Sequence, residues 1–261
     1  MSVVFLHGFL SSPATWENVV HELSIDAQYT HKPWLPGHGL APWFCGETFV
    51  DAVDAVAARL PTTPSVVVGY SLGARLALGL AARHPERVAR AVLVGVNPGL
   101  REDEAREVRL AEDEARANTL EGACDLDAFV ERWEKLPLFD TQKTLPPSRQ
   151  DARRLERRTH TPHGIAWALR ALSLGAMPCW DDLSQIAPHI DLITGARDDK
   201  FTKIARELAA TDHRTRHVVV DGAGHDVVLE APEALARVLA KLLDRSLFPS
   251  SASFIPHPEA S

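Results

Sequence analysis

The stretch Ser65-Val66-Val67-Val68-Gly69-Tyr70-Ser71-Leu72-Gly73 constrains the fold more than any other part of the chain. A β-branched run enters a serine flanked by glycines, and a series of helix formers from Ala74 to Ala82 follows at once. A strand that passes directly into a helix needs a sharp corner. Residues two positions either side of that corner must be small, and Gly69 and Gly73 meet the need. G-x-S-x-G in this setting puts a hydroxyl at the tip of the turn. The free N–H groups and positive dipole end of the new helix then point at it.

The rest of the chain agrees with this corner. Apolar runs at residues 3–6, 65–68, 91–96, 190–194 and 216–220, with a weaker one at 28–32, alternate with amphipathic stretches. Most of the runs are continuously apolar, as expected for strands covered on both faces. Trp16, Val19, Val20 and Leu23 share one helical face, and Val50, Val53, Val56 and Leu60 share another. A last helix is expected to begin at Pro232 and to pack through Leu235, Val238, Leu239 and Leu242. The predicted class is α/β, a mostly parallel sheet flanked by helices. Residues 100–176 carry no convincing strand, are rich in Arg and Glu, and are punctuated by Pro137, Pro146, Pro147 and Pro162. They read as a helical lid inserted in a single domain spanning residues 1–245. Residues 246–261, with five serines and three prolines, are expected to be a disordered tail.

Composition narrows the partners. A formal net charge of −7 over 261 residues argues against nucleic acid or an anionic membrane surface as a general partner, though not against an acidic small molecule. Cys45, Cys124 and Cys179 are too few and scattered for a disulfide framework or a thiolate metal site, which suits a reducing compartment. The N-terminal apolar run stops at His7-Gly8, too short for a signal peptide or membrane span, so the expected location is cytoplasmic.

Two further loops complete the chemistry implied by the serine. After the run at 190–194 comes Gly195-Ala196-Arg197-Asp198, which places a carboxylate at the C-terminal end of a strand; Asp199 and Asp191 are its rivals. After the run at 216–220 comes Asp221-Gly222-Ala223-Gly224-His225. An imidazole titrates near neutrality and can take and return the Ser71 proton. The order Ser, Asp, His gives the α/β-hydrolase fold with a Ser71–Asp198–His225 triad. The early turn His7-Gly8-Phe9 and the residue after the serine then supply oxyanion-hole N–H groups, from Phe9 and Leu72. His160 and His163 lack a partner spacing for metal, and neither a metal nor a cofactor is expected.

A triad does not name a reaction. Arg75 is more discriminating, since four residues after Ser71 it lies one helical turn along on the same face. A guanidinium there favours a carboxylate or phosphate; the competing reading is an arginine paired with a structural acid. The lid adds Arg106 and Arg109 on one face and the cluster Arg153, Arg154, Arg157 and Arg158, interleaved with acids.

Gly69-Tyr70-Ser71-Leu72-Gly73-Ala74-Arg75, Asn97-Pro98-Gly99-Leu100 and Gly195-Ala196-Arg197-Asp198-Asp199-Lys200-Phe201 together resemble 2-succinyl-6-hydroxy-2,4-cyclohexadiene-1-carboxylate synthases, hydrolase-fold lyases of menaquinone biosynthesis. Leu35-Pro36-Gly37-His38-Gly39 and Gly222-Ala223-Gly224-His225 also fit. The resemblance implies elimination of pyruvate from a small substrate carrying several carboxylates. It also implies that Arg75, Arg109 and Arg158 bind carboxylates and that Trp133 and Tyr70 line the pocket, with Arg157 an alternative to Arg158. A serine carboxylesterase or C–C bond hydrolase acting on an acidic small molecule stays open as the alternative.

Overall fold

The structure, a computed structural model, describes residues 1–243. The tail expected at 246–261 lies outside the described residues, as does the end of the expected domain. Six strands form one parallel sheet: β1 (Val3–Leu6), β2 (Thr30–His31), β3 (Ser65–Tyr70), β4 (Val88–Val94), β5 (His189–Gly195) and β6 (Arg216–Val220). Their spatial order is β2-β1-β3-β4-β5-β6. The chain therefore winds outward from β1 in one direction and then, from β3 onward, in the other. The C-terminal ends of β1 and β3 flank that reversal, the place where open parallel sheets form a crevice for ligands.

Alternate strand residues bury on opposite faces. Val4, Leu6, Val67, Leu93 and Leu192 face one apolar layer, built with α2 (Phe49–Ala57), α3 (Leu72–Arg83) and α8 (Asp199–Ala209). Val3, Phe5, Val66, Val68 and Ile193 face the other, with α1 (Glu17–Leu23) and α10 (Pro232–Leu242). Each such side chain taken from water contributes roughly 1.5–3 kcal/mol. Local signals set the helix ends: Thr48 and Asp51 form a reciprocal cap on α2, and α10 opens at Pro232.

β3 runs two residues further than the apolar run, through Gly69 and Tyr70, and β4 begins at Val88 instead of residue 91. Arg90 hid that earlier start. It breaks the apolar pattern, yet it is accommodated in the strand because Asp191 lies 3.3 Å away and its guanidinium donates to the Leu242 carbonyl at 2.6 Å.

The strand-free stretch between β4 and β5 holds α4 (Asp103–Ala123), α5 (Leu126–Glu134), a 3-10 segment (Pro137–Thr144), α6 (Pro147–Arg157) and α7 (Pro162–Ala171). It has an apolar centre of its own around Leu120, Phe129, Val130, Ile165 and Leu169, against which Leu10 packs. A short α9 (Val227–Glu230) follows His225. No helix among the described residues is long and apolar enough to cross a membrane.

Candidate active site

Ser71 joins β3 to α3 with φ +51° and ψ −107°, a conformation that a side-chain-bearing residue adopts only under constraint. Its N–H donates to the Val94 carbonyl at 2.9 Å, tying the corner to β4. The glycines are required by contact. A Cβ on Gly69 would sit 2.3 Å from the Gly73 oxygen, and one on Gly73 would sit 2.1 Å from the Leu6 oxygen.

Asp198 ends the loop after β5 and caps α8, one oxygen accepting the Phe201 N–H at 3.1 Å. Its other oxygen lies 2.8 Å from His225 Nδ1, and His225 Nε2 lies 3.0 Å from Ser71 Oγ. A carboxylate on Nδ1 makes that nitrogen the donor, so Nε2 accepts from the serine hydroxyl. The imidazole is buried, with the Phe201 ring centred 4.3 Å from its own. Asp199 instead starts α8 exposed to solvent, and Asp191 is wholly buried within β5 beside Arg90 and His189.

A cavity of about 380 Å³ is lined by Ser71 and His225, and by Phe9, Arg75, Arg109 and Trp133 as well. The half-buried Arg75 donates to the Leu172 carbonyl at 2.9 Å, and no carboxylate pairs with it among the described residues. Desolvation brings its pKa down to about 9; the neighbouring Arg109 charge lowers it too, and Asp113 opposes both. It stays charged near neutrality and forms no ion pair among the described residues. Arg109 Nε donates to Asp113 at 2.7 Å, and that buried carboxylate is shared with Arg116, at 2.7 Å, and the Ser173 hydroxyl, at 2.8 Å. Arg75, Arg109 and Lys200 line the cavity against the one carboxylate of Asp113, which leaves its wall positive. Phe9 and Trp133 face each other with rings 4.8 Å apart. Leu72 is the first residue of α3, where backbone N–H groups have no intrahelical acceptor.

The structure does not bring every expected residue here. Arg158 follows the last residue of α6, pairs with Asp127 at 2.9 Å, and lines a separate groove of about 470 Å³ with Arg154 and Arg157. Arg157 itself is buried against Glu134 and Gln142, so the alternative register does not reach the cavity either. Tyr70 is buried against Gly8 and the His225 ring, whose centroid is 5.6 Å away, and is not among the residues lining the cavity. As the last residue of a strand buried on both faces, its side chain enters the core.

Sequence reasoning missed Lys200, Asn97 and Asp113, all of which line the cavity. Lys200 and Asn97 lie inside motifs already singled out, so their position after β5 and β4 was the available signal. Asn97, Arg109 and Lys200 also border an adjoining cavity of about 760 Å³. Among the described residues no cluster of His, Cys, Asp or Glu is arranged to hold a metal ion.

A model of the alpha/beta hydrolase family matches residues 3–238. A 2-succinyl-6-hydroxy-2,4-cyclohexadiene-1-carboxylate synthase of Enterobacter sp. (strain 638) is 30% identical over 247 residues, covering 92% of this chain and 91% of its own. The chain belongs to this synthase family. MenH from S. aureus, a solved structure, matches with a TM-score of 0.86 and 30% identity, over 95% of this chain and 94% of that one. The chloroplastic protein PHYLLO of Arabidopsis thaliana is also 30% identical over 268 residues, and the chain spans 15% of that protein's length. A thermophilic esterase from Thermogutta terrifontis has the same fold, with a TM-score of 0.78 at 23% identity, over 95% of this chain and 91% of that one. The chain thus shares its fold with an esterase.

Proposed function

We propose that this chain is a lyase that expels pyruvate from 2-succinyl-5-enolpyruvyl-6-hydroxy-3-cyclohexene-1-carboxylate, leaving 2-succinyl-6-hydroxy-2,4-cyclohexadiene-1-carboxylate, as a step of menaquinone biosynthesis in the cytoplasm. One observation carries the reading beyond family membership. Arg75, without a carboxylate partner among the described residues, opens with Arg109 onto the cavity that Ser71 and His225 line. A substrate with a ring carboxylate, a succinyl carboxylate and an enolpyruvyl carboxylate would supply the missing negative charge.

The substrate's connectivity sets the chemistry. Its C2–H lies between the succinyl ketone and the C3=C4 double bond, and the enolpyruvyl oxygen leaves from C5. Ser71, its own proton passing to His225, takes the C2 proton; Asp198 keeps the imidazole oriented and stabilises its charged form. Electrons from C2–H form C2=C3, the former C3=C4 pair becomes C4=C5, and the C5–O bond breaks toward the leaving oxygen. Enolpyruvate departs, gains a proton and becomes pyruvate. No water is added. Charge gathering on the ketone oxygen would meet the N–H groups of Phe9 and Leu72, and one such donor is worth about 3–4 kcal/mol of barrier. Arg75 and Arg109 would anchor carboxylates, while Phe9 and Trp133 cover the ring.

The test is to supply the enolpyruvyl substrate and follow pyruvate. Release above background that depends on Ser71 supports the lyase. Absence of release, with rapid turnover of uncharged activated esters and a harmless Arg75→Ala change, would make the protein a serine hydrolase.

A further inference from the structure

Two loops fix the chemistry at Ser71: the one carrying Phe9 after β1, and the one carrying His225 after β6. Neither loop is a regular element, so something else must hold them in place. Both lead to α6, on the far side of the insertion. Arg153 is 4% exposed, and its Nε and Nη2 both donate to one oxygen of Asp226, the residue after His225, the Nε bond at 3.1 Å. Its Nη1 donates to the Ser11 hydroxyl at 3.0 Å and to Glu156 at 2.6 Å. One oxygen of Glu156 in turn accepts the Ser12 N–H at 2.8 Å, the Ser12 hydroxyl at 2.7 Å and the Ser11 hydroxyl at 3.1 Å. Ser11 and Ser12 stand two and three residues after Phe9.

The histidine loop is held on its other side as well. The Gly224 N–H donates to Glu230 at 2.7 Å, and Thr141 of the 3-10 segment donates to the same carboxylate at 2.9 Å. Gln142 adds a bond to Asp226 at 3.0 Å.

We propose that Arg153 and Glu156 form a buried clasp that positions His225 and the Phe9 loop relative to Ser71, so that the helical insertion sets the reacting geometry as well as covering the cavity. The proposal rests on the triad reading given above. Neither Arg153, Glu156 nor Asp226 lines the cavity with Ser71, so they act through the two loops and are positioning residues. Taking three charges out of water is costly, and apolar residues of similar volume often hold a fold as well or better. What the charges add is direction: bonds from one guanidinium reach both loops at once. Within it the Glu156 carboxyl favours its ionised form. Burial pushes the Glu156 carboxyl up, but Arg153 and the Ser12 bonds outweigh it and hold it below the usual range.

The experiment compares Arg153→Lys, Glu156→Gln and Ser12→Ala with the wild type in two assays. One is pyruvate release. The other is labelling of Ser71 by a fluorophosphonate, in which Oγ bonds to phosphorus, fluoride leaves and His225 takes the hydroxyl proton. The second needs no natural substrate. In Arg153→Lys and Glu156→Gln, kcat and the labelling rate should fall together by about 10–100-fold, the scale set by ångström misplacement, with KM within about twofold. Ser12→Ala removes one hydroxyl and should give a smaller drop in the same direction, which keeps the test available if a charged-residue variant does not fold. Folded variants that label at the wild-type rate would overturn the clasp. A raised KM at unchanged kcat would also overturn it, because Arg153 would then be holding substrate. Labelling without pyruvate release would refute the lyase while leaving the clasp measurable, and a wild type that does not label would end both.

Discussion

In the sheet half of the molecule Ser71 and Asp198 are held largely by backbone. Ser71 is fixed by its turn and by the Val94 carbonyl, and Asp198 by capping α8. In the insertion, side chains hold one another: Arg153 with Glu156 and Asp226, Arg170 with Glu114 and Glu121, Arg109 and Arg116 with Asp113. Arg75 belongs to the sheet half but faces the insertion, and among the described residues it has no such carboxylate partner. The contrast separates two tasks. On the proposed reading the backbone-held groups transfer the proton, whereas the cation at the boundary would select which molecule arrives there.

The largest expected effect falls on the backbone-held side. Ser71→Ala should reduce pyruvate release by at least about 10³-fold with the fold intact, checked by turnover and circular dichroism. Next is the boundary cation: Arg75→Ala should lower kcat/KM about 100-fold, mainly through KM, and Arg75→Lys should restore part of it because charge returns without the bidentate fork. Equal KM values in all three proteins would mean that the two regions do not divide the work in this way.

A smaller effect concerns stability. His7 and His160 are buried, and desolvation lowers each pKa to about 4; the charge of His160 also lowers that of His7, while Glu156 opposes the shift of His160. His38, between them, is lowered in the same direction by burial first and by both neighbours second. The unfolded chain binds more protons than the folded one between pH 6.5 and about 4, so stability is full above 6.5 and declines as pH falls through that window. Each of His7 and His160 accounts for roughly 3 kcal/mol at full expression. Urea melts from pH 7 to pH 4.5 should show the fall, and His160→Asn should flatten it. The smallest effect is at Arg158, which pairs with Asp127 at the surface: Arg158→Ala should change KM by less than about twofold.

The sheet, and the meeting of Ser71, Asp198 and His225, were legible because strand, turn and helix leave local patterns: β-branched runs, glycines at fixed offsets, an acid and a histidine each just after a strand. The insertion was not, for a physical reason. At the C-terminal end of α6 Arg153, Arg154, Arg157 and, just past the helix, Arg158 read alike in sequence, yet one is a buried clasp, one is buried against Glu134 and two pair at the surface. Successive helical residues diverge by about 100°, so a one-residue change of register exchanges core for solvent. Arg153 and Glu156, three apart on one face, offered a signal for a shared partner, but nothing local showed that the partner would be the residue after His225.

The most direct measurement is a crystal structure with the diene product bound. The expected density has carboxylate oxygens within hydrogen-bond distance of the Arg75 and Arg109 guanidinium groups, the ketone oxygen toward the N–H groups of Phe9 and Leu72, and C2 beside Ser71 Oγ. Product found in the groove of Arg154, Arg157 and Arg158, or in the cavity with its carboxylates turned to solvent and Arg75 untouched, would contradict the assignment.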